Sequence, residues 1–527
     1  MEQSILFMKD SLRLFLLFSL GVYACSETPE SFEEGGKGFI NVAKKANLEY
    51  AGECYSACWG DFNSDGLMDI FTVNHYDPPP SLYINKGDGT FQDMASTSGI
   101  EKDGDFHGCA VGDYDNDGDQ DIYVSVGTGR GLEVADKLLY QNDGTGRFVN
   151  VVVKAGVTNP KGRGRSVSWV DYDNDGFLDL FMANGKRSDA PSVLFRNNGD
   201  GTFSDVTVKA GLDFVDEPVE ASWTDYDNDG YMDLTVSFNR GHRDTWEISI
   251  FRNMRDGTFK KVMTFNGLRY AWGDYDNDGD YDLFITAPPR MYIGKYDFSV
   301  FPYIFRGFDK LYENTGGGQF IDVSDKTGFR IEMGGNKAVF FDYDNDGDLD
   351  IYLLVDDPSG ANLNDIIFEN NGDKTFTNVV KKIGLIQDFN GKGCSVTNAD
   401  YNNDGFLDLF LTNGRRIWDD KYEAKAGSNV LYENKGNMNH WLKLKLFGTT
   451  SNRDAIGAQI RLYAGNMMQY RQSTGGMEGY SQHSSIIHFG LAKSIVVDKI
   501  EIVWPSSKRS VLTNINADQI IEVKEND

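Results

Sequence analysis

Asp171-Tyr172-Asp173-Asn174-Asp175-Gly176-Phe177-Leu178-Asp179 is the stretch on which the fold turns. The same form, D-x-[DN]-x-D-G-x-x-D, begins at Asp61, Asp113, Asp171, Asp225, Asp274, Asp342 and Asp400, at intervals of about 50 to 70 residues. Outward from each copy the surroundings repeat as well. A small or apolar run precedes it, as in Ser166-Val167-Ser168-Trp169-Val170, and a β-rich run follows, as in Leu180-Phe181-Met182-Ala183. After a variable loop comes a third run, Leu194-Phe195-Arg196-Asn197. A Gly-Asp-Gly-Thr turn then leads to a fourth, Phe203-Ser204-Asp205-Val206. Four short strands in a repeat of this length mark a propeller blade.

The seventh copy stops after its third strand, Leu431-Tyr432-Glu433-Asn434. The missing fourth strand stands ahead of the first copy, as Phe39-Ile40-Asn41-Val42 running on to Leu48. The expected fold is therefore all-β, a seven-bladed β-propeller over 39–437 closed by the N-terminal strand. Closure leaves only short, protected sheet edges. A small β domain over 438–527 follows, because 441–446, 459–463 and 499–503 alternate apolar and polar residues.

Carboxylates at alternate positions meet on one cation only if the chain curls tightly, and Gly at position 6 permits that turn. Positions 1, 3, 5 and 9, with the carbonyl of position 7, give an oxygen-only shell suited to Ca²⁺. In the first three loops the side chains are Asp61, Asn63, Asp65, Asp69; Asp113, Asp115, Asp117, Asp121; and Asp171, Asp173, Asp175, Asp179. The fourth and fifth supply Asp225, Asp227, Asp229, Asp233 and Asp274, Asp276, Asp278, Asp282. The last two supply Asp342, Asp344, Asp346, Asp350 and Asp400, Asn402, Asp404, Asp408. Neutral Asn63 and Asn402 weaken the first and seventh sites. An EF-hand would need Glu at position 12 and flanking helices. Position 12 is instead Thr72, Val124, Met182, Val236, Ile285, Leu353 and Leu411, each inside a strand-like run. Up to seven Ca²⁺ ions, clamping strand-to-strand turns, are expected.

The seven loops hold 29 Asp, the magnitude of the chain's net charge of −29 over 527 residues. That acidity argues against nucleic acid as a partner, since phosphates would be repelled. Residues 1–25 read as a signal peptide, with Lys9 and Arg13 before the apolar run 14–22. Val22-Tyr23-Ala24-Cys25 has the form of a lipobox. Lipidation at Cys25 is expected, with 26–38 as a tether, and the membrane is reached only through that anchor. The expected location is extracytoplasmic, as an outer-membrane or cell-surface lipoprotein or a secreted protein. Cys54, Cys58, Cys109 and Cys394 allow three pairings, and buried thiols fit equally well.

These blades resemble FG-GAP/VCBS repeats, the type found in the integrin α-subunit propeller and in bacterial surface proteins. From about Asn439 the chain resembles the ASPIC/UnbV module. The matching residues are Asn439-His440-Trp441-Leu442, Asn452-Arg453-Asp454-Ala455-Ile456-Gly457-Ala458, 475–482, His488-Phe489-Gly490-Leu491 and Val503-Trp504-Pro505. The combination is similar to bacterial relatives of cartilage acidic protein. The resemblance implies calcium binding and an extracytoplasmic place, and no agreed catalytic activity.

Strand parity puts the approach to strand one and the loop between strands two and three on the face opposite the Asp loops. The approaches carry Glu53, His107, Arg163, Arg165, Glu220, Arg269, Lys337 and Lys392. The two-to-three loops carry His75, Arg130, Lys186, Arg187, His242, Arg243, Trp246, Arg415, Arg416 and Trp418. Either these are scattered solvated charges, or they form a basic and aromatic surface that takes a glycan or an extracellular protein. Ligand-binding candidates are His107, Arg163, Arg165, Glu220, Arg269, Lys337, Arg415 and Trp418. An aromatic insertion over 288–310 either stacks a ligand or packs on itself. A binding scaffold is the favoured reading. The alternative is a polysaccharide lyase or hydrolase at the channel mouth. There Arg163, Arg165, Arg269 and Lys337 would neutralise a uronate while His107 takes a proton. A transition-metal site of His75, His107 and His242 is disfavoured, because their loops belong to different blades. Of His440, His483 and His488, none has recognised metal-ligand spacing. Arg453 and Asp454 are read as a pair bracing a turn rather than a functional pair.

Overall fold

The computed structural model describes residues 38–526 apart from 51, 76–78, 102–103, 128–134, 186–189, 215–216, 240–245, 288–307, 330–334, 356–364, 386–391, 415–426 and 479. The signal peptide, Cys25, most of the tether and most of the aromatic insertion lie outside these residues. So do Arg130, Lys186, Arg187, His242, Arg243, Arg415, Arg416 and Trp418.

Each Asp loop is the hairpin between the first two strands of a four-stranded antiparallel sheet. In the third repeat the strands are Gly164–Val170, Asp179–Asn184, Val193–Asn197 and Phe203–Asp205, paired in chain order. Val170 lies opposite Asp179 at the hairpin, so the loop spans the turn itself. Burial falls outward from the first two strands. Gly164–Val170 is buried nearly throughout, whereas only Phe203 of the last strand is. This follows from composition: Ser, Val and Trp fill the first strand, and two polar residues follow Phe203 in the fourth.

Among the described residues, seven such sheets succeed one another. The seventh has three strands of its own, Lys392–Ala399, Asp408–Gly414 and Val430–Asn434, and takes Phe39–Asn41 as its fourth. Phe39 lies opposite Asn434, as the repeat alignment predicts. Consecutive sheets share apolar clusters. One joins Trp169 of the third to Tyr123 of the second, and another joins Trp59 of the first to Phe410 of the seventh. The buried indoles find acceptors across these seams. Trp59 donates to Thr397 Oγ at 3.0 Å, Trp169 to the Ala110 carbonyl at 3.3 Å, and Trp223 to Ser168 Oγ at 2.9 Å. Cys58 and Cys109 form a disulfide between the first strands of the first two sheets, and Cys54 and Cys394 lie outside it.

The C-terminal stretch forms two further sheets around one core of Leu442, Leu444, Ile460, Leu462, Phe489, Ile500 and Trp504. One sheet orders Ile487–Ala492, His440–Phe447 and Gln519–Lys524; the other orders Met467–Gln472, Gln459–Ala464, Val496–Val503 and Arg509–Asn516. A short hairpin, Met477–Glu478 with Ser481–Gln482, leaves them and joins the first sheet, placing Gln482 opposite Cys58.

Candidate metal centres

Within each loop the first Asp organises the curl. In the third, Asp171 Oδ1 accepts the Asp175 N–H at 3.0 Å and Oδ2 accepts the Gly176 N–H at 3.1 Å. Asp175 Oδ1 accepts the Phe177 N–H, and Asp179 accepts those of Tyr172 and Asn197. Position 6 has φ of 91°, the left-handed region that Gly enters without a Cβ clash. Carboxylate oxygens of positions 1, 3 and 9 lie within 4.8 Å of one another in the second, third and fifth loops. In the fourth, positions 1, 3 and 5 do so. Each oxygen has a second lone pair, so a hydrogen-bonded carboxylate keeps an acceptor for a cation.

The crowding leaves a mark on acidity. Burial, with neighbouring carboxylates adding to it, pushes Asp69 up to about 8 and Asp113 and Asp225 to about 7. Asp121, Asp179, Asp282, Asp350 and Asp408 stand well above the usual carboxylate range for the same first cause. A bound divalent cation would remove that penalty. Protein cations offset part of it. Arg196 reaches Asp173 at 2.7 Å and also Asp175, Arg252 reaches Asp227 at 2.8 Å, and Lys374 reaches Asp276 at 2.5 Å. The donor sets fit hard divalent cations such as Ca²⁺.

Two series of asparagines bind the loops into one network, and neither has a role in the reading of the sequence above. Asn at position 4 sits at positive φ and donates to the Gly carbonyl of the following loop. Asn116 donates to Gly176, Asn174 to Gly230, Asn228 to Gly279, Asn277 to Gly347 and Asn345 to Gly405. The Asn that ends the third strand reaches the other way, to the position-2 carbonyl of the preceding loop. Asn142 donates to Phe62, Asn197 to Tyr114, Asn253 to Tyr172, Asn314 to Tyr226, Asn370 to Tyr275 and Asn434 to Tyr343. Asn85 of the first sheet donates to Tyr401 of the seventh at 2.9 Å. The signal was in the sequence: all seven third strands end in Asn.

The C-terminal domain lies against this face. Lys443 contacts Asp400 at 2.5 Å and Lys445 contacts Asp61 at 3.6 Å, so a lysine stands at each loop whose position 3 is Asn. Asn452 donates to Asp171 at 3.2 Å, and Gln459 to Asp225 at 2.6 Å. Asp454 accepts the Asp113 N–H at 2.8 Å, and Arg453 donates its N–H to Asn116. Arg453 and Asp454 therefore dock the domain on the second loop. The histidines serve similarly, since His483 Nδ1 accepts the Asn398 N–H and buried His488 donates to the Gly405 carbonyl. From here the 477–482 hairpin passes among the first strands. Gln482 donates to the Val111 carbonyl and accepts its N–H, Ser481 contacts Ser395, and the Tyr480 carbonyl accepts from Ser56 Oγ.

At the hairpin's far end, Arg269 lies over the Tyr480 ring at 5.5 Å and 3.4 Å from Glu220, whose residue is 2% exposed. Lys337 is also buried, while Arg163 and Arg165 are half-buried. Half-buried Tyr55 and Tyr480 join this surface unforeseen. Lys392 opens the first strand of the seventh sheet, and Trp246 opens a strand of the fourth.

His107 is fully buried, and burial, with nearby Arg165 adding to it, pushes its imidazole down to about 3. It has no exposed atom to offer a substrate, which removes the base required by the lyase reading. Contrary to the expectation from separate blades, His75 and His107 stack with ring centroids 5.2 Å apart and share Asp105 between them. His75 leaves the first sheet and His107 enters the second, so adjacency of those sheets brings the rings together.

Comparison with known proteins follows this division. A family described as FG-GAP-like repeat matches residues 36–124, 135–182, 171–236 and 225–285, and one described as ASPIC and UnbV matches 448–527. Human cartilage acidic protein 1 is 31% identical over 203 residues, covering 37% of this chain and 29% of that protein. The Xenopus tropicalis protein of the same name is 29% identical over 248 residues, covering 44% and 36%. The chain thus spans about a third of the length of these relatives. Among solved structures, a Dos1 propeller aligns over 74% of this chain and 80% of its own, with TM-score 0.40 and 11% identity. A luciferin-regenerating enzyme aligns over 75% and 94%, with TM-score 0.35 and 10% identity.

Proposed function

The chain carries FG-GAP repeats and an ASPIC/UnbV domain and is homologous to cartilage acidic protein 1, and from that premise we propose that it is a calcium-dependent extracytoplasmic scaffold that binds a glycan or protein ligand. In this reading the seven sheets are the blades of one closed propeller, and Ca²⁺ ions rivet the hairpins that join them. The observation that carries it is the convergence of position-1, -3 and -9 carboxylates in loops tied to their neighbours by asparagine. Closure is supported by the Phe39–Asn434 pairing and by Asn85 reaching Tyr401. The Cys58–Cys109 disulfide is in keeping with an oxidising compartment.

The ligand would meet the face opposite the Asp loops, where Arg163, Arg165, Tyr55 and Tyr480 retain exposed surface. Arg269 belongs to the scaffold instead, because removing it strands the buried Glu220 carboxylate. Calcium titration followed by melting tests the reading. Chelation should lower the melting temperature, and Asp173→Ala with Asp175→Ala should reduce both the calcium bound and the gain in melting temperature it gives. Arg163→Ala with Arg165→Ala should keep the calcium response and lose capture of acidic glycans or of extracellular protein ligands. A folded protein that takes up no calcium, or whose melting ignores it, contradicts the proposal.

A further inference from the structure

We propose that His75, Asp105 and His107 form a binding site for one transition-metal cation of the Zn²⁺ class, distinct from the Asp loops. The argument begins with which nitrogen carries the proton. His107 Nδ1 lies 2.9 Å from the Gly164 carbonyl, which can only accept, so the neutral ring has its lone pair on Nε2. That Nε2 faces Asp105 Oδ1 at 3.3 Å. His75 directs Nδ1 to Glu53 Oε2 at 2.9 Å and brings its own Nε2 to 3.0 Å from the same Asp105 oxygen. Both oxygens of Asp105, together with His107 Nε2, are buried atoms lacking a hydrogen-bond partner.

Ligand atoms of the three side chains lie within 4.8 Å of one another, in a space shielded from water. His75 is 4% exposed, Asp105 8% and His107 0%. The lone pair of buried His107 Nε2 facing the Asp105 carboxylate is repulsive unless a proton or a metal cation stands between them, and two imidazoles beside one carboxylate leave a place for the latter. Two imidazoles and one carboxylate suit Zn²⁺ or a similar first-row ion, whereas Ca²⁺ prefers oxygen alone. Each imidazole also has its other nitrogen held, one by a carboxylate and one by a backbone carbonyl. Histidines that ligate metals are oriented in this way. Tyr55 stacks on His75 with ring centroids 4.9 Å apart, closing one side. Gly127 lines another, where an added Cβ would stand 2.3 Å from both Asp105 Oδ2 and His107 Cε1.

The test uses the full chain, kept saturated with Ca²⁺ and stripped of other metals, then titrated with ZnCl₂ or CoCl₂. One equivalent of Zn²⁺ should bind, and Co²⁺ should give visible bands of nitrogen ligation. His107→Gln and Asp105→Asn should each weaken Zn²⁺ binding at least tenfold. Glu53→Gln, which loosens only the orientation of His75, should weaken it by about tenfold. Asp173→Ala should leave it unchanged. If both ligand variants fail to fold, the wild-type cobalt spectrum still decides. Folded wild type that binds no Zn²⁺, cobalt bands indicating oxygen ligation only, or equal affinity in folded His107→Gln would each overturn the proposal, the last two placing the ion elsewhere. Absence of binding would mean that a shared proton alone holds the three side chains together.

Discussion

Glu525 shows how much one side chain settles near the end of the chain. Its Oε2 accepts the N–H groups of Thr449, Thr450 and Ser451 at 2.8 to 2.9 Å, while Oε1 accepts the hydroxyls of Ser451 and Ser506. Burial works against the charge, yet the hydrogen bonds from Ser506 and the three N–H groups prevail and hold the carboxyl at about 2, below its ordinary 4.5. Since the folded value is the lower one, the stabilisation is full above pH 4.5 and disappears as pH falls toward 2. Glu525→Gln should therefore cost about 1 to 3 kcal/mol in urea denaturation at pH 7. The difference should shrink when the comparison is repeated at pH 3. A cost that is the same at both pH values would mean that packing, not charge, is responsible.

At the scale of elements, the unit is the Asp-loop hairpin with the asparagine that follows it. Asn253 donates to the carbonyls of Tyr172 and Met232 while its N–H satisfies Asp233. Asn253→Ala would leave two buried carbonyls without donors and should destabilise by about 1 to 3 kcal/mol. The loss should persist at saturating calcium, because the missing bonds are not the cation's. Full recovery on adding calcium would instead place the asparagine's effect in metal binding. The β-strand assignment of each hairpin was legible because the alternation and the turn glycine are local. The role of Asn253 was not, because its partner Tyr172 lies a whole repeat earlier in the chain.

The whole molecule is governed by the 477–482 hairpin. It pairs with Cys58, holds Val111 through Gln482 and brings Tyr480 to Arg269, so the C-terminal domain and the repeat sheets share buried structure. Lys443 on Asp400 and Gln459 on Asp225 add contacts across the loop face. Calorimetry of the full chain should accordingly show one cooperative transition in calcium. Two separated transitions would mean that these contacts are too weak to couple the parts. The basic face inferred from strand parity is also reorganised at this scale. Glu220 and Lys337 sink into the scaffold, half-buried Arg269 pairs with Glu220, and Tyr480 arrives from the far end of the sequence.

Read alone, the sequence determined the seven Asp loops, their four-strand repeats and the pairing of 39–41 with the last of them. Each of these is written in spacing, alternation and the clustering of carboxylates around a turn glycine, which are properties of neighbouring residues. Only the tertiary structure decided where the C-terminal domain lies, which cysteines join, and that His75 and His107 meet at Asp105. Those contacts join side chains from different repeats or from opposite ends of the chain. Their geometry is fixed by how the sheets pack, and packing leaves no period in the sequence to read.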